Sequence, residues 1–147
     1  MNALVSRILR ETTRAPEFLD ITQEITDIVH QSGARDGLVC VYTKHTTAAI
    51  KINENEPLLL HDMEAFLERV APQDAYYGHN DFSLRTVNMT EDECPNGHSH
   101  CRHLFLGTSE TIPLIGGELQ FGTYQRVFLI ELDRPRSREV LVSIVGA

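Results

Sequence analysis

The last third of the chain restricts the fold more than any other feature. TIPLI (111–115), Gly116-Gly117 and ELQF (118–121) form two short β-rich runs across a glycine turn, which predicts a hairpin. After Gly122 comes TYQRVFLIEL (123–132), then a turn in RPRSR, then the β-branched run EVLVSIV (139–145). Strands joined by such short connections return antiparallel.

Upstream the pattern is mixed. LVSRILRETTRA (4–15) reads as a strand. In FLDITQEITDIVHQSG, Asp20 can cap a helix whose Ile21, Ile25, Ile28 and Val29 recur at helical spacing, and Gly33 stops it. GLVCVYTK (37–44) and TTAAIKIN (46–53) are strand-like. A second helix opens at Pro57, capped by Asn55 or Glu56, and runs to about Val70 with Leu59, Met63, Phe66 and Val70 as its apolar stripe. Residues 73 to 97 have no period and form a long polar segment, and a short helix spans Ser99 to Leu106 before Gly107. The expectation is an α+β fold over residues 1–147 as one domain, a mostly antiparallel sheet packed with helices.

Charge and cysteine content narrow the function. A net charge of −8 and a pI near 5.3 argue against nucleic acid and anionic membrane surfaces, which attract basic proteins. No run approaches the roughly 18 apolar residues that span a bilayer. Three cysteines suit reduced thiols better than a disulfide framework, so a cytoplasmic location is expected.

Chemistry concentrates in the histidines. CPNGHSHCRH (94–103) packs two cysteines and three histidines into ten residues. Six residues lie between its cysteines, whereas structural zinc sites favour C-x₂₋₄-C pairs, so a closed zinc knuckle is disfavoured. A site assembled from separate segments suits the chemistry better. His45 at a strand end, His79 in the long loop and His100 near a helix start are the candidate metal ligands, since three neutral imidazoles hold a zinc-type ion with one position open. Seven histidines in 147 residues would also scatter over any surface. Thr46 and Thr47 beside His45 are candidate oxyanion contacts, although threonines favour strands for their own reasons. Glu54 at a strand-to-helix junction is a candidate general base, or only part of a helix start. Gln125, at the start of a long apolar strand, is a polar side chain able to face a cleft. Neither a P-loop nor a dinucleotide fingerprint occurs, and no G-x-S-x-G marks a serine nucleophile. The roles of His98, His103 and Cys101 stay open.

HTTAAIKINENE, HDME, the Y-x-x-H of residues 76–79, SHxxxLxLGTSxTIP (99–113) and GTYQRVFLIELDRPR, in that order, resemble the YjbQ-like family. The resemblance implies an α+β fold assembled as a homotrimer. It also implies a metal, zinc by type, on His45, His79 and His100, with Glu54 at the family's acidic position. In an enzyme built on that site Thr46, Thr47 and Gln125 would orient the anion and Glu54 would move a proton or hold a ligand histidine, which makes these four the candidate catalytic residues. Its phosphorylated small-molecule substrate or anion would be handled with thiamine-phosphate synthase activity, coupling a pyrimidine diphosphate to a thiazole phosphate. The alternative is a non-catalytic trimeric binder of a metal or phosphorylated metabolite. Tyr124 stands where many members of the family have tryptophan, and the loop 80–97 is longer than usual.

Overall fold

β7 (Gln125–Glu131) organises the molecule, because its apolar run is buried on both faces. A computed structural model describes residues 2–146. Ahead of β7 come β1 (Asn2–Glu11), β2 (Glu17–Asp20), α1 (Thr22–Ser32), β3 (Gly37–Tyr42), β4 (Ala48–Glu54) and α2 (Pro57–Val70). A 3₁₀ turn (Gly78–Asn80), α3 (Gly97–Leu106), β5 (Ser109–Ile115) and β6 (Glu118–Leu119) follow, and β8 (Ser137–Gly146) is last. The strands make a five-stranded sheet, β1-β8-β3-β5-β6, and a three-stranded sheet, β2-β7-β4. Among the described residues every pairing is antiparallel. This is the expected α+β class.

Alternation along β7 divides its side chains between two cores. Val127 and Leu129 join Ile50 and meet Val39, Val41, Val140, Val142 and Ile144 of the large sheet. Ile21, Ile25 and Val29 around α1 close the same core. Phe128 and Ile130 point the other way, onto Ala49, Leu132 and Leu67 of α2. A strand covered on both sides needs apolar residues at successive positions, which is why VFLI occurs without alternation.

Local chemistry sets the helix ends. Gly33 ends α1 at φ 69°, in the left-handed region that a side chain would resist. Asp20 contributes to the start of α1, but from one residue before the N-cap Ile21: its Oδ1 accepts from the Thr22 N–H at 3.0 Å. Glu56 caps α2, accepting from the amides of Leu58 (3.0 Å) and Leu59 (2.7 Å). The expected stripe of α2 is displaced. Leu67 is buried, with Leu60 and Met63 partly buried on its side, while Phe66 and Val70 are exposed. The helix turns its i, i+3, i+7 set toward the sheet. Two strand boundaries also move. Phe18 and Leu19, next to the helix signal, form β2 because they pair with Ile130 and Leu129 of β7. The predicted 46–53 strand begins two residues later, at Ala48.

On the outer face of the large sheet Val5, Leu9, Leu38 and Val145 are exposed. Among the described residues no helix is long and apolar enough to cross a membrane.

One ion pair ties the two sheets together. Arg138 of β8 and Glu131 of β7 are both buried. Arg138 Nε donates to Glu131 Oε2 at 2.7 Å, and its second nitrogen donates to Oε1. Thr12 Oγ1 donates to Oε2 at 2.9 Å, and the amides of Leu132 and Asp133 donate to Oε1, each at 3.1 Å. Arg138 also donates to Thr47 Oγ1 at 2.9 Å. A buried pair with this many partners tolerates loss of one member poorly, because the survivor keeps its desolvation cost. Arg138→Met is expected to lower unfolding free energy by about 3–5 kcal/mol in urea denaturation. Adding Glu131→Gln to it should recover part of that loss. A double variant less stable than Arg138→Met would rule out this account.

Candidate functional site

The end of the small sheet where β7 finishes and β4 begins collects the polar groups. The Leu132 amide donates to the Thr47 carbonyl at 3.1 Å, which holds the chain leaving β7 beside the chain entering β4. α3 is fastened to the same place, since Ser99 Oγ, fully buried, donates to the Leu132 carbonyl at 2.5 Å.

His79 and His100 meet here. Their ring centroids lie 4.7 Å apart at an interplanar angle of 70°, an edge-to-face contact. They come from different segments, the 3₁₀ turn and the first turn of α3, and Gly97 lets these approach. A Cβ at Gly97 would sit 2.6 Å from Tyr77 Cβ and 2.8 Å from its Cγ, closer than real carbon contacts. The Gly97 amide donates to Asn80 Oδ1 at 2.8 Å, which locks the turn onto the helix. Burial pushes the His100 imidazole below its ordinary pKa, and the neighbouring His79 pushes the same way. Asp133 opposes them. Its carboxylate is almost fully enclosed and accepts from Asn96 Nδ2 at 3.2 Å, Arg136 at 3.4 Å and Cys94 Sγ at 3.5 Å. Burial and Asp133 both raise the Cys94 thiol pKa, so Cys94 stays a protonated donor rather than a nucleophile.

His45 does not join the pair. Its Nε2 accepts the Glu139 amide at 3.2 Å, so that nitrogen is unprotonated and already engaged. Burial lowers its pKa, and Arg138 and Arg136 add to the effect. Thr47 is buried and committed to Arg138, whereas Thr46 is exposed. Glu54 and Gln125 face each other in the ladder at the far end of β4 and β7. At about 3.3 Å per residue, β4 separates them from Thr47 by roughly 20 Å. They line a different, open depression of ≈ 380 Å³ with Gly122, Thr123 and Tyr124. The four residues expected to be catalytic therefore divide between two ends of one sheet.

His98 is buried against Tyr77, with ring centroids 6.5 Å apart. Ser99 spends its hydrogen on Leu132, so His98 Nε2, 3.3 Å from Ser99 Oγ, is the donor of that contact. Its Nδ1 is then a bare acceptor, buried and, among the described residues, without a partner. Sequence reasoning missed Asp133, the role of Asn80 and the Arg138–Glu131 pair, and weighed Cys94 only as a zinc ligand. A run of charged residues closing an apolar strand, E-L-D-R-P-R, was the available signal.

The comparisons with known proteins agree with one another. The model of the family described as "UPF0047 protein YjbQ-like" matches residues 6–147. The chain belongs to the YjbQ-like UPF0047 family. A UPF0047 protein of Methanothermobacter thermautotrophicus is 40% identical over 99% of this chain and 94% of its own length. The UPF0047 protein YjbQ of Escherichia coli O157:H7 is 36% identical over 95% of this chain and 96% of its own. The solved structure of a YjbQ-like protein from Sulfolobus solfataricus, itself of unknown function, superposes with a TM-score of 0.89 at 32% identity, covering 99% of both chains.

These findings overturn the reading as a metal-containing thiamine-phosphate synthase, and with it the alternative of a metal binder. The relatives are described only as UPF0047 proteins, and the solved structure as one of unknown function, so none of them supports such an activity. Among the described residues no group of three or more His, Cys, Asp or Glu side chains could hold a metal ion. The physical reason lies in His45: its Nε2 is spent on the Glu139 amide, which leaves two facing imidazoles where a zinc centre uses three or four ligands. The residues do not fit that centre.

The histidines also set the acid behaviour. His45, His98, His100 and His103 all lie below their ordinary pKa, each chiefly through burial. The unfolded chain then binds protons that the native chain refuses, so stability rises with pH. The contribution is complete above the unfolded value of about 6.5 and is lost as pH falls through the lower native values. Urea denaturation between about pH 5 and 8 should show this slope. His98→Gln should make the slope shallower, and an unchanged slope would remove His98 from the account.

Proposed function

We propose that His79, His100 and Asp133 form a proton-transfer site for a small anionic molecule, phosphate esters being the class its surroundings suit. The observation that carries this reading is the facing pair of imidazoles, 4.7 Å between ring centroids. Burial, and then the neighbouring His79, hold His100 below its ordinary pKa. His100, held neutral by burial and by His79, is ready to accept a proton at neutral pH. Asp133 sits where it can stabilise the imidazolium that results. Arg136 is 40% exposed while touching Asp133, and its guanidinium fork suits a phosphate or carboxylate at the rim.

The proposal extends to the setting. Assembly as a homotrimer is supported by the uncovered apolar face of the large sheet, with Val5, Leu9, Leu38 and Val145. A cytoplasmic location is supported by three free cysteines. The net charge of −8 disfavours nucleic acid as a ligand.

Titration of the full-length chain with inorganic phosphate, followed through the histidine ring resonances, tests the site. The ring resonances of His79 and His100 should shift together, and affinity should rise as pH falls, because a bound anion favours the protonated form of His100. His100→Gln should weaken binding by about tenfold, the scale of one charge-assisted hydrogen bond. Gly97→Ala, which touches neither ring, should weaken binding by forcing the 3₁₀ turn off α3. Phosphate that shifts only His30 and His61, or binds more tightly as pH rises, would falsify the proposal.

A further inference from the structure

A cavity of ≈ 150 Å³ lies between α2 and the outer face of the small sheet. Phe18, Phe128 and Ile130 line it from the sheet, Met63 and Leu67 from α2, and Leu106 from the end of α3. Protein interiors seldom leave a void larger than a water molecule, because every lining atom forfeits dispersion contacts. A water would find little to bond there, since only Lys51 and Asn53 among the lining residues are polar. An apolar cavity of about this size stays dry and accepts benzene. Phe18 and Phe128 meet edge-to-face at 6.0 Å, an arrangement that a third ring can extend.

The two polar residues define the other end of the guest. Lys51 Nζ lies 3.6 Å from Glu110 Oε1, so its charge is already balanced. An anionic group would have to compete with Glu110 for the ammonium, whereas a neutral oxygen accepts from it and leaves the pair intact. Asn53 Oδ1 is occupied by the Glu54 amide at 2.8 Å, so the side chain offers its N–H₂ as a donor. Both groups therefore present hydrogens to a neutral acceptor at the rim of an apolar chamber.

We infer that this cavity is a binding site for a monocyclic aromatic molecule bearing a neutral hydroxyl, a phenol by chemical class. The ring occupies the space bounded by Phe18, Met63, Leu106 and Phe128, and the hydroxyl oxygen accepts from Lys51 and Asn53. The inference rests on residues separate from His79 and His100 and stands or falls apart from the proton-transfer site.

Titrations of the full-length protein with benzene, phenol and benzoate, read from the methyl resonances of Met63, Leu106 and Ile130, provide the test. Benzene and phenol should give saturable shifts, phenol binding about tenfold more tightly, as one hydrogen bond to a charged donor predicts. Benzoate should bind more weakly than phenol. Lys51→Met should retain benzene and reduce phenol to the benzene level. Met63→Phe, which fills the chamber, should abolish both responses, and Leu106→Phe serves the same purpose if the first variant is poorly folded. The absence of saturable shifts with benzene and phenol in the folded protein overturns the site. Benzoate binding as tightly as phenol, or an unchanged phenol preference in Lys51→Met, overturns the assignment of a neutral hydroxyl.

Discussion

The buried pair of Glu131 and Arg138 is the constraint on which the rest of the arrangement depends. It joins β7 to β8, and so the small sheet to the large one, through a carboxylate whose two oxygens accept from Arg138, Thr12 and the amides of Leu132 and Asp133. Taking two charges out of water is expensive, and only such a saturated set of partners makes it tolerable. The same bonds fix where the chain goes after β7. Leu132 and Asp133 are held in place, Ser99 fastens α3 to Leu132, and Thr47 is drawn against Arg138. A structural ion pair thus sets the positions from which the histidines are presented.

The facing imidazoles have a second requirement, which is the closeness of two backbones. Gly97 packs on Tyr77 at distances that leave no room for a methyl group, and Asn80 bonds to its amide. Without that approach His79 would remain on a solvated loop. With it, His79 is brought against His100, whose pKa is lowered by burial and by His79 and raised by Asp133. His45, near in chemistry but committed to the Glu139 amide, stands outside the pair. The apolar chamber under α2 belongs to a different part of the fold, where the helix leaves Phe66 exposed and the space beside Leu67 unfilled.

Much of the fold was legible in the sequence because it follows from short-range rules. The hairpin across Gly116-Gly117 appears as read, with Leu114 opposite Leu119. Gly33 ends α1 as its position demands, and Pro57 opens α2 behind Glu56. The misplaced stripe of α2 has a simple cause. LLLHDMEAFLERV carries apolar residues on more than one face, and only the packing partner selects Leu67 over Phe66. β2 was hidden because Phe18 and Leu19 acquire strand geometry from β7, not from their own neighbours. Among the site residues, His79 and His100 were recognisable as unusual, but their partnership was not. Grouping them with His45, Glu54 and Gln125 failed because distance along a strand cannot be read from residue type.

The sequence by itself determined the class of fold, the glycine and proline punctuation, the membership of the YjbQ-like family and the residue types available for chemistry. These depend on backbone sterics, side-chain periodicity and ordered motifs, all of which are local or linear. The tertiary structure alone decided which imidazoles meet, which nitrogen of His45 is spent, and that Glu54 lies at the opposite end of β4 from Thr47. Those facts depend on three-dimensional distances and on competition for hydrogen-bond partners among segments far apart in the chain, and neither is encoded in the spacing of letters.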